Sequence, residues 1–164
     1  YVSDKLYYPY YELAKKYNKV VAIHTGSTAG NMGLLKYSHP LTVDEVAIQF
    51  PTIQFVMCHM GNPWVMDAAA VMDKNENVAA DLSGMLEGCV DINRMRKDNS
   101  GYLDYLRTWI GYLHGYDRLM YGTDWPLVHI DDYIEFTEEI IPEKYLEKVF
   151  YNNAKRIYNL NTEQ

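Results

Sequence analysis

Three short apolar runs of this chain each end in a side chain able to bind a metal or move a proton. Val20-Val21-Ala22-Ile23 closes on His24, the run from Ile53 to Cys58 closes on His59, and Arg118 to Gly122 passes into Thr123-Asp124. Each has a glycine nearby (Gly26, Gly61 or Gly122) that frees the chain to turn. Imidazole is the side chain whose ordinary charge change lies near neutral pH, and imidazole and carboxylate are both zinc donors. Two histidines in equivalent places with an aspartate in a third point to a metal or acid-base centre more than to separate structural hydrogen bonds. His39, His114 and His129 sit in loop or helix settings where a surface role is the default. Of these, His129 lies in the loop after Asp124 and could reach a substrate. Trp125-Pro126, beside Asp124, is expected to shape the pocket wall, since an aromatic ring holds geometry at low entropy. Asp81 reads first as a turn cap, second as support for a metal-binding histidine.

These residues need elements to bring them together. The β-branched run 20–24 is too short for a helix and apolar on both sides, as a central parallel strand should be. Segments 53–59, 78–82 and 118–122 repeat that pattern. Between them, helices are expected from a Ser3 cap with Tyr10, Leu13, Ala14 and Tyr17 as apolar stripe, and from a Thr42/Glu45 capping box with Val43, Val46, Ala47 and Phe50. Further helices are expected from an Asn62 cap with Pro63 first and Val65, Ala68, Ala69 and Met72 inward, and around Leu103, Leu106, Ile110 and Leu113. Residues 27–40 read as a long loop and 85–100 as irregular or weakly helical, and two helices close the chain at about 131–140 and 143–158. Strands alternating with helices imply right-handed βα units and a parallel sheet with helices outside it. The functional face is then the carboxyl ends of the strands. Strand alternation would put Val20, Ala22 and His24 on one face, as it would Phe55, Met57 and His59, and Met120, Gly122 and Asp124. Cys58 would then point to the helix layer as inert core.

Composition narrows the function classes. The 164 residues carry 15 basic and 22 acidic side chains, a net charge of −7, with no basic patch. Neither nucleic acid nor an anionic membrane is an expected partner. With 48% apolar residues the chain can bury a core as one domain over 1–164. Cys58 and Cys89 make no disulfide framework or zinc-finger spacing, so a reduced, cytoplasmic setting is expected. No apolar run reaches membrane-span length, and the start lacks a secretory pattern.

The ordered set Val21-Ala22-Ile23-His24-Thr25-Gly26, Met57-Cys58-His59-Met60-Gly61-Asn62-Pro63-Trp64, Ala80-Asp81-Leu82-Ser83-Gly84, Tyr121-Gly122-Thr123-Asp124-Trp125-Pro126 and Asn153-Ala154-Lys155-Arg156-Ile157-Tyr158 resembles the second half of the amidohydrolase-related enzymes. That branch of the metal-dependent TIM-barrel superfamily contains aminocarboxymuconate-semialdehyde decarboxylase and its relatives. The resemblance implies a parallel (β/α) half-barrel made of strands five to eight. It implies that His24 binds the metal at the end of strand five, His59 faces the substrate or its activated water at the end of strand six, and Asp124 binds the metal at the end of strand eight. Members of the family begin with a His-x-His pair on the first strand, and none occurs here. The start at Tyr1 and a length short of the roughly 250 residues of a full barrel are read as the absence of that first half.

With the missing donors supplied, a divalent ion, zinc first and manganese second, would lower the pKa of bound water. Asp124 would accept the water proton and His59 would stabilise charge on the substrate. Metal-dependent hydrolysis of a small carboxylate, lactone or amide is the expected activity. Decarboxylation of an aromatic or unsaturated acid is the first alternative, and a catalytically inactive half-barrel serving as an assembly unit the second. Hydrolysis leads because no arginine directly follows His24, His59 or Asp124 to clamp a departing carboxylate, Arg94 and Arg96 being in a longer loop. Unpaired sheet edges predict a homo-oligomer or association with the missing half.

Overall fold

The computed structural model of the chain describes residues 1–160, so residues 161–164 of the expected domain lie outside the described part. The fold rests on a parallel sheet of β1 (Val21–His24), β2 (Phe55–Cys58), β3 (Val78–Asp81) and β4 (Leu119–Met120), in that spatial order. The register pairs His24 with Cys58, Met57 with Ala80, and Asp81 with Met120, which brings the carboxyl ends of all four strands to one side. This is the expected α/β half-barrel layer. β2 starts later than the apolar run because Ile53 closes a turn on the Phe50 carbonyl, 3.0 Å. β4 stops early because the Tyr121 N–H leaves the sheet for the Val149 carbonyl, 2.8 Å.

The helices are α1 (Tyr8–Lys16), α2 (Leu41–Gln49), α3 (Val65–Lys74), α4 (Ile92–Asp98), α5 (Ser100–Tyr112), α6 (Ile130–Ile140) and α7 (Asn153–Ile157). One sheet face carries the main core, with Ile23, Phe55, Met57, Val78, Ala80, Leu82 and Leu119 against apolar positions of α2, α3, α5 and α6. Each large side chain fully buried there contributes about 1.5–3 kcal/mol. The expected stripes of α2 and α3 are the buried ones.

Several expectations need correction. The first cap is Asp4, accepting the Leu6 N–H at 2.9 Å, and it starts a 3-10 turn before α1. Of the predicted stripe of α1, Ala14 packs half-buried on the core while Tyr10, Leu13 and Tyr17 are exposed, and Tyr11 points into the core. Thr42 is no cap, since its hydroxyl donates to the His39 carbonyl behind it. Asn62 is not the cap of α3, because its amide is spent on the Gly84 and Met85 carbonyls, leaving Trp64 at the head of the helix. Part of segment 85–100 is a helix, α4, capped by Asp91 on the Arg94 N–H.

The last helix also departs from expectation. The chain is helical from 143 to 157, close to the expected bounds, but unevenly wound: it opens in a 3-10 turn (Glu143–Tyr145) and widens into a π-turn (Lys148–Asn152) before the short α7. Ala154 and Ile157 of α7 pack on Val20, Val56, Ala79 and Met120. By strand alternation those residues face away from the main core, so α7 covers the sheet face opposite the other helices.

Candidate active site

His59 reaches the site by a route that alternation does not give. Phe55 and Met57 point into the helix-side core, and a further extended step would send His59 there as well. Instead His59 and Met60 both adopt left-handed backbone, φ 64° and 43°, and the chain turns back on itself, closed by the Asn62 N–H on the His59 carbonyl at 2.9 Å. Such residues cost about 1–2 kcal/mol each and persist where the surroundings over-determine them. Here Thr25 does so: fully buried, its hydroxyl donates to the Cys58 carbonyl at 2.6 Å and accepts the Gly61 N–H at 3.0 Å. The turn sets the His59 ring edge-on to the His24 ring, with centroids 4.9 Å apart.

His24 itself stands exposed, with Nε2 3.0 Å from the Ser27 carbonyl. A carbonyl only accepts, so Nε2 carries the proton and Nδ1 keeps its lone pair. Around His59 the partners are different. Nδ1 lies 2.9 Å from Ser83 Oγ, the Ser83 hydroxyl lies 2.5 Å from Asp81 Oδ1, and that oxygen also accepts the His59 and Ser83 backbone N–H groups at 3.0 and 3.1 Å. Asp81 thus braces the turn, as its first reading had it, and the histidine it supports through Ser83 is His59 and not the expected metal donor His24. Gly84 makes room for the ring: a Cβ there would lie 2.5 Å from His59 Nδ1.

Asp124, at φ 58°, lines a cavity of about 230 Å³ with Asp81, Ser83, Gly122, Thr123 and Tyr158. Cys58 belongs to this side too, contrary to its expected place in the helix layer, because it pairs with His24 across β1 and β2. Burial pushes its thiol up to about 12, aided by the charge and hydrogen bond of Asp81 and by the charge of Asp124. The shared influence ties Asp81 and Asp124 to the end of β2. Tyr158, absent from the expected set, comes from the C-terminal segment; its hydroxyl is pushed up by burial, then by Asp81 and Cys58. No strand pattern marks it, because it arrives through the crossing of α7.

Other expected residues lie elsewhere. Trp125 is 70% exposed and forms no wall of the cavity. His129 heads α6 with Nδ1 3.1 Å from Asp132, also outside that lining. Arg94 pairs with Asp98, and Arg96 is held by Glu139 of α6 in the helix layer. By themselves the donors fall short of a metal centre: among the described residues no group of three or more His, Cys, Asp or Glu is arranged to hold an ion. Likewise, among the described residues no helix is long and apolar enough to cross a membrane.

The amidohydrolase family model matches residues 1–160, and the chain belongs to that family. No curated protein matches it significantly. Among solved structures it is similar to a zinc-bound amidohydrolase from Burkholderia multivorans, at 18% identity and a TM-score of 0.69 over 98% of this chain and 59% of that one. It is similar to the 5-carboxyvanillate decarboxylase LigW from Sphingomonas paucimobilis, at 17% and 0.68 over 98% and 55%. A probable 2-pyrone-4,6-dicarboxylic acid hydrolase from Acinetobacter baumannii gives 13% and 0.64 over 98% and 60%. The chain thus spans little more than half the length of these structures, and the likeness is one of fold.

Proposed function

We propose that this chain supplies the strand-end residues of a metal-dependent hydrolase acting on a small organic carboxylate, lactone or amide. The observation that carries the reading is the meeting of the His24 and His59 rings beyond β1 and β2, with Asp124 on the cavity wall after β4. The family includes this chain, and one solved relative in fold holds zinc, which supports a divalent ion, zinc before manganese. His24, through Nδ1, and Asp124 are the donors this chain would offer, and the ion would need further donors beyond the described residues. When bound, such an ion acidifies water and polarises a carbonyl. For this chain's own residues, Asp124 takes the proton of the attacking water and His59 steadies charge growing on the substrate oxygen. The free cysteines fit a reducing, cytoplasmic setting.

Hydrolysis is favoured over decarboxylation by where the arginines are spent. Arg94, Arg96 and Arg107 are paired with acids of the helix layer, Arg118 donates to the Met72, Asn75 and Val78 carbonyls, and Arg156 to the Asp117 carbonyl. None of them lines the cavity beside Asp124 to clamp a departing carboxylate. The test is to supply the remaining donors from a barrel half joined to this chain, load that protein with zinc or manganese, and assay lactones and amides alongside hydroxybenzoate-type acids. Turnover of a lactone or amide is expected. Carbon dioxide release from the acids alone would establish the decarboxylase, and folded protein with neither bound metal nor turnover would leave an assembly unit.

A further inference from the structure

We infer that Ser83 and Asp81 are positioning residues that hold His59 in one tautomer, with its proton on Nδ1 and its lone pair on Nε2. Hydrogen bonds count the protons. Asp81 Oδ1 is met by two backbone N–H groups, from His59 and Ser83, which can only donate, so that oxygen is an acceptor throughout. The Ser83 hydroxyl has one proton, and it goes to that oxygen. Toward His59 the same Ser83 oxygen can therefore only accept, and the contact at 2.9 Å needs a proton on Nδ1. The neutral ring keeps its lone pair on Nε2, which has no hydrogen-bond partner among the described residues.

The ring is held against alternatives. Its own backbone N–H is bound by the same Asp81 oxygen, so main chain and side chain of His59 are referenced to one carboxylate. The glycine at position 84, with φ +60°, lets the ring lie flush against that loop. A rotated ring would leave the Ser83 oxygen without the donor it faces. The consequence for chemistry rests on the hydrolase reading: Nε2 is where His59 takes up a proton, and the ring so charged donates from Nε2 to the substrate oxygen whose charge it steadies.

The test is a two-bond nitrogen–proton correlation spectrum of the ¹⁵N-labelled protein in alkaline buffer, where imidazoles in general are neutral. The His59 ring should show protonated Nδ1 and bare Nε2. Ser83→Thr should keep that pattern, whereas Ser83→Ala should lose it in favour of a mixture or of the Nε2–H form. Asp81→Ala carries the sharper signature, because with the carboxylate gone the serine proton can turn toward His59 and move the ring proton to Nε2, whereas Asp81→Asn should keep the wild-type pattern, its amide oxygen held in place by the same two backbone N–H groups. A wild-type ring protonated on Nε2, or a Ser83→Ala spectrum unchanged from wild type, would overturn the inference. The wild-type spectrum decides even where a variant fails to fold. Failure to bind metal or turn over substrate, with the tautomer as stated, would sink the hydrolase reading and leave the positioning intact.

Discussion

Removing His59 and removing His24 should have different effects, because only His24 presents its free nitrogen as a proposed metal donor while His59 is braced by Ser83. In protein supplied with the remaining donors, His24→Ala or Asp124→Ala should lower zinc uptake by at least tenfold, and His59→Ala should leave much of the metal and abolish most turnover. Equal metal content in the three variants would show the roles to be misassigned. A second contrast concerns thiols. With Cys58 held up to about 12 and Cys89 exposed, iodoacetamide at neutral pH should modify Cys58 roughly 100- to 1,000-fold more slowly than Cys89, by mass spectrometry. His24 and Asp124 were legible as polar groups ending apolar runs. His59 was legible as a residue, but alternation pointed it and Cys58 to the wrong faces, because the period of two fails where the backbone turns left-handed at 59 and 60. Ser83 stood in a segment that carried the resemblance but with no role attached: a serine two places after an aspartate is common, and only the fold of 58–61 brings a histidine to it.

At the scale of elements, one carboxylate ties three helices. Glu139 on α6 is paired with Arg96 of α4 and Arg107 of α5, and its backbone carbonyl accepts from Arg107 Nε at 3.1 Å. The Arg96 hydrogen bond, with the charges of both arginines, outweighs burial and holds Glu139 below the usual glutamate range. A lowered carboxyl contributes its stability above the unfolded value, and that contribution is lost as pH falls through the folded one. Glu139→Gln should therefore lower Tm by about 2–4 °C at pH 7, with the gap to wild type closing below about pH 4 in thermal melts. A gap independent of pH would assign the loss to packing. This cluster was not legible, since it joins positions more than 30 apart in sequence. The strands and the stripes of α2 and α3 were, because apolar period and burial agree there. α1 departed for a physical reason: Tyr10, Leu13 and Tyr17 do recur at helical spacing, but the core takes Tyr11, with Tyr8 and Ala14 half-buried beside it.

For the whole molecule, that exposed stripe is the informative surface. Leu6 in the turn before α1, Tyr10 and Leu13 on it and Tyr17 just after it are 72%, 67%, 51% and 60% exposed, in the segment that leads into β1. Among the described residues β1 is the end strand of the sheet, paired with β2 alone, and Ala22 and His24 on it are exposed. The opposite end is partly closed, since Tyr121 bonds to Val149 beside β4. Exposed apolar side chains before an edge strand that leaves one side unpaired are the profile of a sheet that continues, and such an edge pairs readily with another strand. The chain covers 55% and 59% of two solved structures similar in fold, so that fold has room for such a continuation. The proposal is that the chain associates through this side, with a second copy or with a chain carrying the other half of the barrel. Light scattering at micromolar concentration should give a dimer or larger species, and Tyr10→Glu with Leu13→Glu should shift it toward monomer while circular dichroism stays unchanged. A monodisperse wild-type monomer that binds no apolar dye would contradict the proposal, as would an oligomer indifferent to both substitutions.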